Sequence, residues 1–161
     1  GVSDGGGDNI EDQLATRLQP ISQHENVTVE TTSESILIEF SGTVLYDTGA
    51  AVLRKGALPM IDEVTRSLVE ASDTQYNVVV EGHTDDVPIR RGIWPSNWEL
   101  SSARATSVVR RMLEMGMPKG TVSATAFADT RPLAPNLDES GKPIEENRAR
   151  NRRVVIRIDR L

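Results

Sequence analysis

Apolar and polar residues alternate over Val27–Val29 and again over Ile36, Ile38 and Phe40, with the polar run TTSES between them. A period of two on both sides of a polar turn predicts a β-hairpin. After the loop SGTVLYDTGA the period lengthens. Leu53, Ala57, Ile61, Val64 and Leu68 recur at steps of three and four, which predicts a helix ending near Ala71. Pro59 must then lie in its first turn or kink it, because proline has no N–H to give. Residues 76–82, YNVVVEG, carry the strongest strand pattern, and the unbroken Val78–Val80 run suits a strand buried on both faces.

The next helix is marked at both ends. Ser96 can N-cap it, and Glu99 three residues on completes a capping box. Leu100, Ala105, Val108, Val109, Met112 and Leu113 form its apolar side; Gly116 stops it and Pro118 forbids continuation. Residues 121–127, TVSATAF, read as a strand, 128–143 as a Pro/Asn/Gly loop and 145–151 as a short helix. Val154, Ile156 and Ile158 alternate in a last strand. The order β-β-α-β-α-β-(α)-β predicts an α/β fold of the two-layer α+β kind, one mixed sheet with helices packed on one face. The unit from 76 to 127 is expected to be a right-handed crossover joining parallel strands.

Upstream, residues 1–9 (GVSDGGGDN) are glycine-rich and acidic and read as a flexible linker. Ile10, Leu14 and Leu18 place one apolar face on a short helix that is marginal by itself. The expected division is therefore 1–24, an acidic linker with a short amphipathic helix, and 25–161, a single domain. A length of 161 residues fits one domain with some chain to spare. Aromatics are only 4% of the chain, so aliphatic packing must carry the core. No apolar run approaches the roughly 18 residues of a membrane span. The chain begins at Gly1 rather than Met, which suggests a trimmed or processed product. The absence of cysteine excludes disulfide scaffolds, thiolate metal sites and cysteine nucleophiles.

The net charge of −6 is uneven. Residues 1–30 hold six acids and one base, which leaves about −1 for the remaining 131 residues. Residues 147–161 reverse the sign, with six arginines against Asp159. A near-neutral body argues against duplex nucleic-acid binding, which needs a broad basic face. It leaves room for a local anion site built from arginine.

The segment EGHTDDVPIRRGIWPSNWELSSARA, residues 81–105, is where chemistry concentrates. Thr84 and Asp85 lie just past the carboxyl edge of a predicted strand, where open α/β sheets gather ligand groups. Asn97, Ser101 and Arg104 are spaced by four and three and share one helix face. If that face turns toward Asp85, a carboxylate and a guanidinium flank one small pocket. Such a pair suits a zwitterion: the carboxylate takes an ammonium and the guanidinium a carboxylate. The plainer alternative is an Asp85–Arg104 salt bridge tying loop to helix, since most charge pairs are structural.

These strings, GHTDD…SNWELSSARA followed by NRARNRRVVI, resemble the OmpA-like peptidoglycan-binding domain. LYDTGAAVL resembles that family's loop before the first long helix, with Tyr46 where phenylalanine is commoner. The long loop before SNW, together with ADTRPLAPN, is most similar to the periplasmic C-terminal domain of the flagellar stator B subunit, the motility protein B family. The resemblance covers roughly residues 26–161. It implies a non-catalytic domain that binds the diaminopimelate of peptidoglycan stem peptides and anchors a stator to the wall. By matching positions, Asp85 receives the ammonium and Arg104 the carboxylate; Thr84 and Asn97 add hydrogen bonds. Asp47 lines the site, and Arg153 of NRRV supports it, with Arg152 as its neighbour. AFADT departs from the family's glycine-rich turn, with Ala126 and Ala128 in place of glycines. The resemblance further implies a homodimer, a stator A subunit as partner through a transmembrane segment absent from this sequence, and a periplasmic location. The same module occurs in outer-membrane proteins and peptidoglycan-associated lipoproteins, which remain the alternative.

Other chemistries fit less well. A hydrolase built from His83, Asp85, Asp86, Ser96 and Ser101 lacks a nucleophile elbow. His24 and His83 lie in unrelated segments without zinc-like spacing, so neither metal nor cofactor is expected. Arginines in RARNRRVVIR lack interleaved aromatics for base stacking and read as a solvated strand face. Trp94 and Trp98 flank the ligand loop and suit core or dimer packing.

Overall fold

The computed structural model describes residues 13–71 and 76–161. The expected linker 1–9 and Ile10 lie outside the described residues. Five strands form one sheet: β1 (Val27–Thr31), β2 (Ser35–Ser41), β3 (Tyr76–His83), β4 (Val122–Ala128) and β5 (Arg153–Arg160). Their order is β1-β2-β5-β3-β4; β3 and β4 are parallel and the other neighbours antiparallel. The hairpin and the β3–helix–β4 parallel unit thus form as the periodicity predicts.

Register explains the core. Ile36, Ile158 and Val78 stand in one cross-strand row, Ile38, Ile156 and Val80 in the next, and Phe40, Val154 and Gly82 in a third. Because side chains alternate faces, all three rows point to the same side. Helix α3 (Leu58–Glu70) covers this side with Ile61, Val64 and Leu68, and α4 (Asn97–Glu114) with Ala105, Val108 and Met112. The opposite face carries Glu39, Glu81, His83, Arg153 and Arg157.

A helix at 13–18, α1, runs on into a 3₁₀ turn, Gln19–Gln23, with Pro20 in its first turn. Leu14, Leu18 and Ile21 are buried in the same core. α3 starts five residues later than the Leu53 periodicity suggests. Pro59 sits in its first turn, where a missing N–H costs nothing, and Leu53 stays in the preceding loop. Between β2 and α3 the structure adds a four-residue helix α2, Gly42–Leu45, too short for a periodic signal. Arg111 grips Asp62 with two bonds, at 2.8 and 2.7 Å, and so clamps α4 to α3.

α4 begins as its sequence dictates: Ser96 Oγ accepts the Trp98 N–H at 3.1 Å and donates to the Glu99 carboxylate. Gly82 fixes its distance from the sheet. A Cβ there would stand 2.2 Å from the Ser101 carbonyl oxygen, so only glycine lets α4 lie this close to β3. That contact sets the end of β3, with Thr84 and Asp85 beyond it, against the first turns of α4.

Candidate functional site: a carboxylate–arginine cleft at the end of β3

Asp85 and Arg104 are both buried, each 8% exposed. They do not pair with each other, so the simple loop-to-helix salt bridge is not the arrangement found. Asp85 Oδ1 accepts the Val87 N–H at 2.9 Å, an Asx turn that orients the carboxylate, and Oδ2 accepts from Arg152 Nη1 at 2.6 Å. The Arg104 guanidinium lies 4.9 Å from the centre of the Tyr46 ring and donates from Nε to the Ala50 carbonyl at 2.8 Å. Nη2 reaches the Asp47 carbonyl at 3.4 Å. Burial pushes Arg104 below its ordinary pKa; the Arg152 charge acts the same way, and Tyr46 and Asp85 oppose them. It still carries its proton at any physiological pH. Two arginines and one aspartate thus converge in a cleft between β3, α4, the 46–50 loop and the start of β5, one positive charge in excess.

Tyr46 holds this wall in place. Its hydroxyl donates to the Arg104 carbonyl at 2.6 Å and lies 3.0 Å from Ser107 Oγ. Burial raises its pKa to about 12, against the lowering effects of Ser107 and Arg104, so it remains a neutral donor. Trp94 Nε1 donates to the Gly49 carbonyl at 2.9 Å and latches the long loop onto the 46–50 loop.

The other expected site residues fall into place differently. The Thr84 hydroxyl donates to the Asp85 carbonyl at 2.8 Å, and its N–H bonds the Ala128 carbonyl at 2.8 Å. Asn97 Nδ2 donates to the Val87 carbonyl at 3.0 Å and ties the Asp85 loop to α4. Both therefore shape the cleft through backbone bonds. Asp47 presents its carbonyl to Arg104, while its carboxylate is exposed and 3.8 Å from Arg54. Arg153 does not join the cleft. It starts β5 with its side chain on the far face of the sheet, where it donates to the Asn151 and Arg131 carbonyls at 3.2 and 3.0 Å. Strand alternation is the reason: Arg152 and Arg153 point to opposite sides, and Arg152 is the one beside Asp85.

The arginine-rich end is also not a solvated strip. Arg148 on α5 (Glu145–Asn151) donates to Asp86 at 2.7 Å, as Arg152 does to Asp85. Two arginines four apart therefore meet two consecutive aspartates. Arg157 pairs with Glu81 at 2.6 Å on the far face. Asn151, fully buried, accepts the Leu133 and Ala134 N–H groups and donates to the Ala134 carbonyl and Asn136 Oδ1. It thereby fixes the 131–136 loop, a role its residue type alone did not signal. Ala128 sits at φ 51° in the left-handed region, where an unbranched Cβ still costs about 1 kcal/mol, and its carbonyl holds Thr84. His83 lies 3.1 Å from Glu81 by Nε2 and stacks on Phe127 at 5.0 Å, which makes it structural. Among the described residues no group of His, Asp and Glu is placed to hold a metal ion, and no helix is long and apolar enough to cross a membrane.

A two-layer fold, one sheet covered by helices, with a buried Asp85 beyond one strand and a buried Arg104 on the following helix, defines the class of this domain. Residues 45–152 match the OmpA family, and the chain belongs to that family. It is similar to motility protein B of Bacillus subtilis (strain 168), 29% identical over 152 residues, covering 94% of this chain and 55% of that protein. The chain spans about half the length of the curated relatives it matches. Among solved structures, a putative MotB-like protein from Desulfovibrio vulgaris superposes with TM-score 0.81 at 26% identity, covering 96% and 94% of the two chains. The cell wall anchor of the type VI secretion system from Pseudomonas aeruginosa gives 0.77 at 29% identity, covering 91% and 97%.

Proposed function

We propose that this domain binds peptidoglycan without turning it over, and that it anchors a flagellar stator to the cell wall in the periplasm. The ligand is the free amino-acid end of a diaminopimelate-containing stem peptide. The observation that carries the reading is the cleft itself: Asp85 and Arg104 are buried, oppositely charged, and not spent on each other. The zwitterion's carboxylate takes the guanidinium, and its ammonium takes Asp85, so each charge is met on desolvation. The family supports a wall ligand, and similarity to motility protein B over nearly the whole chain supports the stator. In this reading two copies flank one channel, with a membrane segment and a stator A subunit outside the present sequence.

Co-sedimentation with purified sacculi tests it. Asp85→Ala and Arg104→Ala should each weaken binding by 30-fold or more in protein that is still folded by circular dichroism, since removing one partner strands a buried charge at a cost of about 2–5 kcal/mol. Full binding by both variants overturns the cleft. New muropeptide fragments that vanish in a Ser96 or Ser101 variant would overturn the non-catalytic reading.

A further inference from the structure

We infer that Arg152 reads a second carboxylate, so that the cleft selects a diaminopimelate residue at the very end of a stem peptide, with one amine acylated and both carboxylates free. This rests on diaminopimelate being the ligand of the cleft and narrows which stems qualify. A zwitterion alone does not neutralise the site.

The charges on the walls set the requirement. Arg104 and Arg152 face the cleft with Asp85 as their counter-charge, and the other nearby acids are engaged elsewhere. Asp86 holds Arg148 at 2.7 Å, and the Asp47 carboxylate is exposed beside Arg54. Asp85 Oδ2 already accepts from Arg152 Nη1 at 2.6 Å. An ammonium arriving at Asp85 therefore meets a carboxylate that is paired, with a guanidinium next to it. A ligand of no net charge leaves that guanidinium uncompensated. A ligand with two carboxylates and one ammonium leaves every charge matched.

Donors stand ready for it. The Arg152 side chain makes that one bond, and its Nε and Nη2 groups have no partner among the described residues. Arg104 directs Nε and Nη2 to the Ala50 and Asp47 carbonyls, and its Nη1 has no partner among the described residues. Gly42 lies between the two arginines. Its N–H donates to the Arg152 carbonyl at 2.8 Å, and a Cβ there would stand 3.2 Å from that oxygen and 3.6 Å from Arg104 Nη1. The arginines are close enough that the Arg152 charge helps to depress the Arg104 pKa.

Depth orders the ligand. Asp85 and Arg104 are buried, whereas the Arg152 side chain is 38% exposed at the mouth. The free amino-acid end enters first, its ammonium to Asp85 and its carboxylate to Arg104. The acylated half of the residue emerges past Arg152 and presents the second carboxylate there. In a stem that continues beyond this residue the same group is an amide and carries no charge. Hydrolysis of that peptide bond is the class of reaction that supplies the preferred end.

Isothermal titration of the 161-residue chain with two probes tests this. One is an alanyl-γ-glutamyl-diaminopimelate tripeptide with both diaminopimelate carboxylates free. The other has the carboxylate beside the acylated nitrogen converted to a carboxamide, so the probes differ in that charge alone. Wild type should bind the free acid about tenfold tighter, and Arg152→Gln, folded by circular dichroism, should bind the two alike. Equal affinities in wild type, or a preference that survives in Arg152→Gln, overturn the second carboxylate and leave the cleft as the binding site. Binding of neither probe by wild type, or full binding by Asp85→Ala, overturns the cleft and this inference with it.

Discussion

Arg152 donates to Asp85 at 2.6 Å, and its neighbour Arg153 stands on the other side of the sheet. The two therefore separate by experiment. Arg152→Ala leaves the fold intact but frees the Asp85 carboxylate to drift from its set position. Sacculus binding should weaken several-fold, less than for Asp85→Ala or Arg104→Ala. Arg153→Ala removes a buried guanidinium that holds the Arg131 carbonyl, so it should lower the melting temperature while the folded protein binds like wild type. Isothermal titration with a diaminopimelate peptide, beside thermal melts, distinguishes them; equal effects of the two variants would contradict the geometry.

Gly82→Ala is a distant test of the cleft. The added Cβ meets the Ser101 backbone, which cannot swing aside as a side chain can. The helix must move, at a cost of about 1–3 kcal/mol in overpacking. Because Arg104 rides on α4, peptide affinity should fall together with urea stability. Unchanged affinity in a destabilised variant would mean that the α4–β3 spacing is irrelevant to binding.

Acid sensitivity should trace to Glu81. Burial alone would raise its carboxyl, but the His83 hydrogen bond and the charges of His83, Arg157 and Arg131 outweigh it and hold the pKa below the ordinary 4.5. A depressed acid contributes stability that is full above its unfolded pKa and lost as pH falls through the lower folded value. Wild type should therefore melt higher than Glu81→Gln at neutral pH, and the gap should close as pH drops below about 4.5. A gap that is constant from pH 7 to pH 3 would refute this assignment.

The N-terminal segment is expected to behave as core. Leu14 and Leu18 are essentially inaccessible, and Arg17 pairs with Glu70 of α3. Leu14→Ala should cost about 2–5 kcal/mol in chemical denaturation, as for other buried leucines. A loss under about 0.5 kcal/mol, the scale of a surface change, would show that the segment is not held there in solution.

Much of this protein was determined by its sequence alone, because local rules sufficed. Alternation over Val27–Phe40, the Ser96–Glu99 cap and the Gly116 stop each act within a few residues, so the hairpin and α4 are legible. So is the candidate pair, since Thr84–Asp85 past a strand end and Arg104 on the next helix face follow from periods of two and 3.6. What tertiary structure alone decided is which charges meet. Asp85 takes Arg152 across 67 residues, Asp86 takes Arg148 across 62, and Glu81 takes Arg157 across 76. Those pairings depend on β5 lying between β2 and β3, a strand order that no local pattern encodes. The same placement turned Arg153 away from the cleft: one residue of register along β5 is the difference between the two faces of the sheet.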